Sequence, residues 1–167
     1  DIETNLNLNS FPSPENLWNK YCSWKKIDNS DKLKLIETPY YLENSEKNPR
    51  YYQTTAINKV IETITENKKR ILLVMATGTG KTYTAFQIIW KLWKSRTKKR
   101  ILFLADRNVL INQTKNNDFK PFGKAMTKIS KRQVDKSFEI YLSLYQAVTG
   151  NEEEKNISKQ FSQDFFD

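Results

Sequence analysis

At 167 residues, with 38% hydrophobic and 28% charged residues, the chain has room for one globular domain with a sizeable core. It lacks any apolar run near the ~18 residues of a membrane helix. Its one cysteine, Cys22, cannot close an internal disulfide, and with no histidine it is excluded from transition-metal and histidine-base chemistry. These features predict a cytoplasmic protein with no membrane partner. A chain that opens on Asp1 and not on Met further reads as a stretch of a longer one.

The net charge of +9 is uneven: residues 50–150 carry 20 basic against 6 acidic side chains, residues 1–49 carry 6 against 8, and residues 151–167 carry 2 against 5. A basic middle between acidic ends points to a polyanion partner. The competing reading is that lysines decorate helix ends and loops for solubility.

In chain order, residues 1–16 are polar, with Pro12 and Pro14 among serines, and read as a linker. Trp18, Tyr21 and Trp24, three apart, predict one face of a short helix with Glu15 near its start. Such a stripe could stack on bases or pack on a neighbouring domain. Residues 25–48 show little periodicity and predict a loop or extended arm crossing the surface, so that residues 1–49 form a linker and aromatic helical arm before a core at 50–167.

Apolar positions at Ala56, Ile57, Val60, Ile61 and Ile64 predict a helix from Gln53 to about Glu66. Ile71 to Met75 are five apolar residues in a row and predict a strand covered on both faces. Ala85, Phe86, Ile88, Ile89, Leu92 and Trp93 predict a largely buried helix after Lys81, and Ile101–Ala105 a second buried strand. Asp106-Arg107-Asn108 leads into a helical stretch through Val109, Leu110 and Gln113. The pattern is weak from 118 to 136. Phe138–Leu142 predicts a third strand, and Glu152-Glu153-Glu154 starts a last helix holding Ile157 and Phe161. Alternating strands and helices give an α/β fold with a mostly parallel sheet and ligands at the strands' carboxyl ends.

The turn between the first strand and its helix carries the chemistry. Thr77-Gly78-Thr79-Gly80-Lys81-Thr82 is the core of a phosphate-binding loop, although the strict pattern's first glycine is replaced by Met75. Gly78 and Gly80 let backbone N–H groups turn inward. Lys81 supplies a charge to the β- and γ-phosphates, and the Thr82 hydroxyl can ligate Mg²⁺ at the positive end of the helix. The alternative is an ordinary strand-to-helix turn. Hydrolysis also needs an aspartate ending a second strand. Ile101–Asp106 has that outline, but Arg107 stands where a second acid is expected. The missing acid is therefore expected past Asp167, leaving the chain able to bind nucleotide but poor at hydrolysing it.

Four motifs together, Pro49-Arg50-Tyr51-Tyr52-Gln53, Met75 to Thr82, Phe103 to Leu110 and Tyr141 to Gln146, resemble the R (restriction) subunit of type I restriction–modification enzymes, a superfamily 2 helicase-like DNA translocase. The resemblance covers the chain from about Leu17 onward. It implies a RecA-like P-loop NTPase fold, truncated before the Walker B strand, with ATP and Mg²⁺ as cofactors and Lys81 as the catalytic residue. Gln53 would read adenine, flanked by Arg50 and Tyr52, while Thr77 to Thr82 hold the phosphates. Arg107, Asn108, Tyr145 and Gln146 would grip the phosphates of double-stranded DNA without reading sequence. The implied partners are the methyltransferase and specificity subunits. The family's nuclease acids and second motor lobe have no counterpart in the sequence. From the residues alone, Gln53 could equally be a solvated first-turn residue, Arg107 a helix-start residue paired with Asp106, and Tyr145 a core residue. Two further functional readings stand beside the resemblance: a helicase or repair ATPase, and a nucleic-acid-binding module without turnover.

Overall fold

The computed structural model describes residues 5, 7–42, 48–129, 135–149, 161–162 and 164–167. After a short 3₁₀ turn at Leu8–Ser10, helix α1 (Pro14–Lys25) starts where the Ser13 hydroxyl accepts from the Asn16 N–H at 3.2 Å and ends at Lys26, in the left-handed region at φ 53°. None of its residues is buried. It stands on helix α3 (Tyr51–Thr65) through Glu62, which accepts from Tyr21 Oη at 2.8 Å and pairs with Lys25 at 3.0 Å. Burial pushes the Glu62 carboxyl up, but hydrogen bonds from Tyr21 and Lys25 outweigh it and hold it below the usual range. Burial, and then the same carboxylate, push the Tyr21 phenol up to about 12. The predicted aromatic stripe is present: Trp18 stacks on Tyr21 with centroids 5.6 Å apart, while Trp24 faces solvent.

The arm is not simply extended. Helix α2 (Ser30–Glu37) forms at its centre, capped by Asn29, whose Oδ1 accepts from the Lys32 N–H at 2.8 Å. Its buried Leu35 joins Ile57 and Ile61 of α3 and Leu92 of helix α4 (Lys81–Lys94) in one apolar cluster. Two buried polar residues of α4, one turn apart, then hold the chain beyond α2. Lys91 donates to the carbonyls of Ile36 and Thr38, and Gln87 exchanges two hydrogen bonds with the backbone of Tyr41, at 2.8 and 2.9 Å. Burial pushes the Lys91 ammonium down, and the ring of Tyr40 lies 5.0 Å away.

The sheet is parallel, in the order β1 (Ile101–Ala105), β3 (Ile140–Leu144), β2 (Met126–Lys128). Helix α5 (Asn108–Asn116) follows β1, a 3₁₀ stretch (Lys120–Ala125) leads into β2, and helix α6 (Tyr145–Thr149) follows β3. Strand β3 lies two residues later than its pattern predicts, and the three-residue β2 was not predicted. In the central strand Ile140 and Leu142 face Phe86, Ile89, Phe119 and Phe122, while Tyr141 faces Phe161, Phe165 and Phe166 on the other side. The helix expected from Glu152 falls mainly outside the described residues. No helix among the described residues is long and apolar enough to cross a membrane.

The expectation of a buried strand before the glycine loop fails. Residues 71–75 do not form a buried strand. The segment pairs with no described strand, and Leu72 is 88% and Val74 83% exposed. An apolar run is buried only when strands hydrogen-bond to its edges and layers cover its faces, and composition alone supplies neither. The open edge of β1 and this bare segment are both templates for association. We therefore expect the 167-residue chain to sediment heavier than a monomer at micromolar concentration. The pair Leu72→Lys and Val74→Lys should return it to monomer while changing stability by less than about 0.5 kcal/mol. Unchanged association in that variant would place the contact elsewhere.

Candidate functional site

Helix α4 begins at Gly80, with φ 80°, ψ 42° and no side-chain cap. Its first N–H groups therefore have no partner inside the helix, and no acid occupies its first turn. Gly78 also lies at positive φ, 79°, and a Cβ added there would meet nothing within 4 Å. The result is an open cradle of inward N–H groups at a helix start. Lys81 folds back over it, with Nζ 3.3 Å from the Met75 carbonyl and 3.1 Å from that of Ala76. Thr79 closes the turn, its N–H and hydroxyl both donating to the Ala76 carbonyl. Thr77 is exposed, and the half-buried Thr82 hydroxyl makes no hydrogen bond among the described residues. This arrangement fits a phosphate chain with its magnesium: donors, a movable ammonium and an uncommitted hydroxyl lie within one turn.

The start of α3 holds this loop in place. Gln53, 6% exposed, donates from Nε2 to the Thr79 carbonyl at 2.9 Å and accepts from the Arg50 N–H at 2.9 Å. Tyr52 Oη reaches the same carbonyl at 3.4 Å and accepts from Arg50 at 3.3 Å. Arg50, Tyr52, Gln53 and the loop are thus brought together. Both ends of the Gln53 amide are engaged within the protein, so an adenine edge would meet only its second hydrogen and second lone pair. Tyr51 was missed from the sequence. It is 84% exposed beside the loop and edge-on to Tyr52, centroids 5.4 Å apart.

The proposed nucleic-acid residues also converge. Because β1 and β3 pair in parallel with Ala105 opposite Leu144, the segments that follow them emerge side by side. Gln146 Nε2 donates to the Asp106 carbonyl at 3.2 Å. Arg107 is exposed and pairs with Asp106 at 3.7 Å, as its simpler reading suggests. Tyr145 is 56% exposed and so is not a core residue. The side chain of Asn108 lies outside the described residues, although its backbone begins α5.

The family model for the Type III restriction enzyme, res subunit, matches residues 46–167, which takes in both clusters. The chain belongs to this restriction-enzyme family. It is 60% identical over 99% of its length to the type I restriction enzyme EcoAI endonuclease subunit of Escherichia coli, of which it spans 20%. It is 49% identical over 69 residues to the EcoKI endonuclease subunit of E. coli strain K12, covering 41% of the chain and 6% of that subunit. A solved fragment described as an HsdR subunit of a type I restriction enzyme from Vibrio vulnificus YJ016 superposes with a TM-score of 0.74. It is 41% identical and takes in 96% of this chain and 28% of its own. The chain is thus similar over nearly its whole length to type I restriction endonuclease subunits, and it corresponds to a fifth of the EcoAI subunit's length.

In this chain Gly80 is constrained twice. A Cβ there would sit 2.5 Å from Nε2 of the Gln53 amide, and the amide's hydrogen bonds, from Nε2 to Thr79 and from Arg50 to Oε1, resist its displacement. At Gly78 only the positive φ penalises alanine, by about 1–2 kcal/mol. Gly80→Ala should therefore lower the urea unfolding free energy by more than Gly78→Ala, and the excess should vanish in a Gln53→Ala background. Equal losses for the two glycines would contradict this packing.

Proposed function

We propose that this chain is the ATP-binding part of an ATP-dependent DNA translocase, the motor of a type I restriction endonuclease subunit. The observation that carries the reading is the open helix start at Gly80, with Lys81 and the Thr82 hydroxyl beside it and Gln53 bracing the loop. Lys81 would leave the carbonyls of Met75 and Ala76 for the β- and γ-phosphates, and Thr82 would hold Mg²⁺. Gln53, Arg50 and Tyr52 would favour adenine at the neighbouring end. Bound ATP with Mg²⁺ supplies the phosphoanhydride whose hydrolysis drives movement. The acid that orders the attacking water is proposed to come from outside these residues.

Arg107, Asn108, Tyr145 and Gln146 would hold duplex DNA by its backbone, so that motion of the lobe moves DNA without reading its sequence. The supporting geometry is the shared position of their backbones past the ends of β1 and β3. Methyltransferase and specificity subunits would complete the complex in the cytoplasm. In the complete subunit, Lys81→Ala is expected to reduce ATP-driven translocation by about 10²-fold or more, since it removes a charge aimed at the transferred phosphate. Translocation at the wild-type rate in that variant, followed by triplex displacement, would refute the proposal.

A further inference from the structure

A second cavity, of about 460 Å³, opens where α4 meets the end of α5 and the arm. The rings of Tyr41 and Tyr83 line it, with buried Phe86 beneath and Asn116, Asn117 and Lys120 at its edge. None of these residues belongs to the phosphate loop or to the proposed DNA contacts.

The two tyrosines are held by a single buried side chain. Gln87 is fully buried, and its Nε2 donates to Tyr83 Oη at 2.9 Å and to the Tyr41 carbonyl at 2.8 Å. Its Oε1 accepts from the Tyr41 N–H at 2.9 Å. Burying an amide in a helix core costs desolvation that a leucine would avoid. Here these three bonds of the amide all go to the two residues whose rings face the cavity. The Tyr41 ring is further seated edge-on against Phe86 and Trp90, at 5.6 and 4.8 Å. The aromatic walls are therefore preorganised.

The edge is built differently. Asn116 and Asn117 are exposed, and their amides make no hydrogen bond among the described residues. Each offers a donor and an acceptor side by side, the pattern that matches the edge of a base. Lys120 adds a cation at the same rim. Rings for stacking, amides for an edge and a cation for a phosphate form the combination that recognises an unstacked base. We propose that this cavity takes one nucleobase, stacked on Tyr41 or Tyr83 and read by Asn116 and Asn117. A free nucleotide and a base turned out of a strand present the same chemistry to it.

The test uses the complete subunit in its Lys81→Ala form, which removes the phosphate loop's share of binding and keeps the result separate from the ATP proposal. The probes are 2-aminopurine ribonucleoside monophosphate and a single-stranded oligonucleotide carrying one 2-aminopurine, whose fluorescence falls on stacking. Saturable quenching is expected, with the midpoint weakened about tenfold by Asn116→Ala with Asn117→Ala, two exposed positions that leave the core intact. Quenching of the free nucleotide supports the proposal with a mononucleotide as occupant, and quenching of the oligonucleotide alone supports it with a strand base. No saturable quenching of either probe, or an unchanged midpoint in the double variant, overturns it.

Discussion

The hydrogen bond from Gln53 to the Thr79 carbonyl is the contact on which the position of the glycine loop from Thr77 to Thr82 depends. In a sheet-bound loop the preceding strand fixes the turn, but residues 71–75 pair with no described strand. What remains is the start of α3: the Gln53 amide, fixed at its other end by the Arg50 N–H, and the Tyr52 hydroxyl. Gly80 follows from the same contact, because a side chain there would occupy the space of the amide nitrogen. The residue expected to read the base is thus also the residue that shapes the phosphate cradle. A base meeting the remaining amide positions would be sensed by the loop through one side chain.

Helix α4 joins the remaining parts. Its first turn closes the cradle, its apolar face meets the sheet through Phe86 and Ile89, and its buried Gln87 and Lys91 hold the arm. An ammonium buried against carbonyls, without a carboxylate among its hydrogen-bond partners, stabilises little for its desolvation cost. It does fix where the arm runs, by binding the carbonyls of Ile36 and Thr38. The arm in turn places Tyr41 beside Tyr83. Helix α4 and the arm are therefore joined by direct hydrogen bonds.

Much of this was legible in the sequence, for physical reasons. The 3.6-residue apolar period of α3 and α4 marks helices buried by their own pattern, while the apolar run of β1 places a strand at Ile101–Ala105 that, at the sheet edge, is only partly buried, with Leu104 exposed. The loop's glycines were legible because only positive φ explains two of them within three residues. Helix α2 was not, since eight residues with a single buried leucine give too short a period to register; the Asn29 cap was its one signal. Strand β2 is three residues long and exists through pairing with β3, which no local pattern encodes. Residues 71–75 show the converse, a strand composition without strand partners. Gln87 and Lys91 read as polar interruptions of an apolar helix, and only the docked arm reveals what they bind.

The loop from Thr77 to Thr82, braced by Gln53, is proposed to form an adenine nucleotide site. The most direct measurement is a titration of the purified chain with fluorescent ADP, competed separately by ATP and by GTP. The account predicts saturable binding that ATP displaces far better than GTP. Binding displaced equally by both would contradict adenine reading by Gln53, and absence of binding would contradict the site itself.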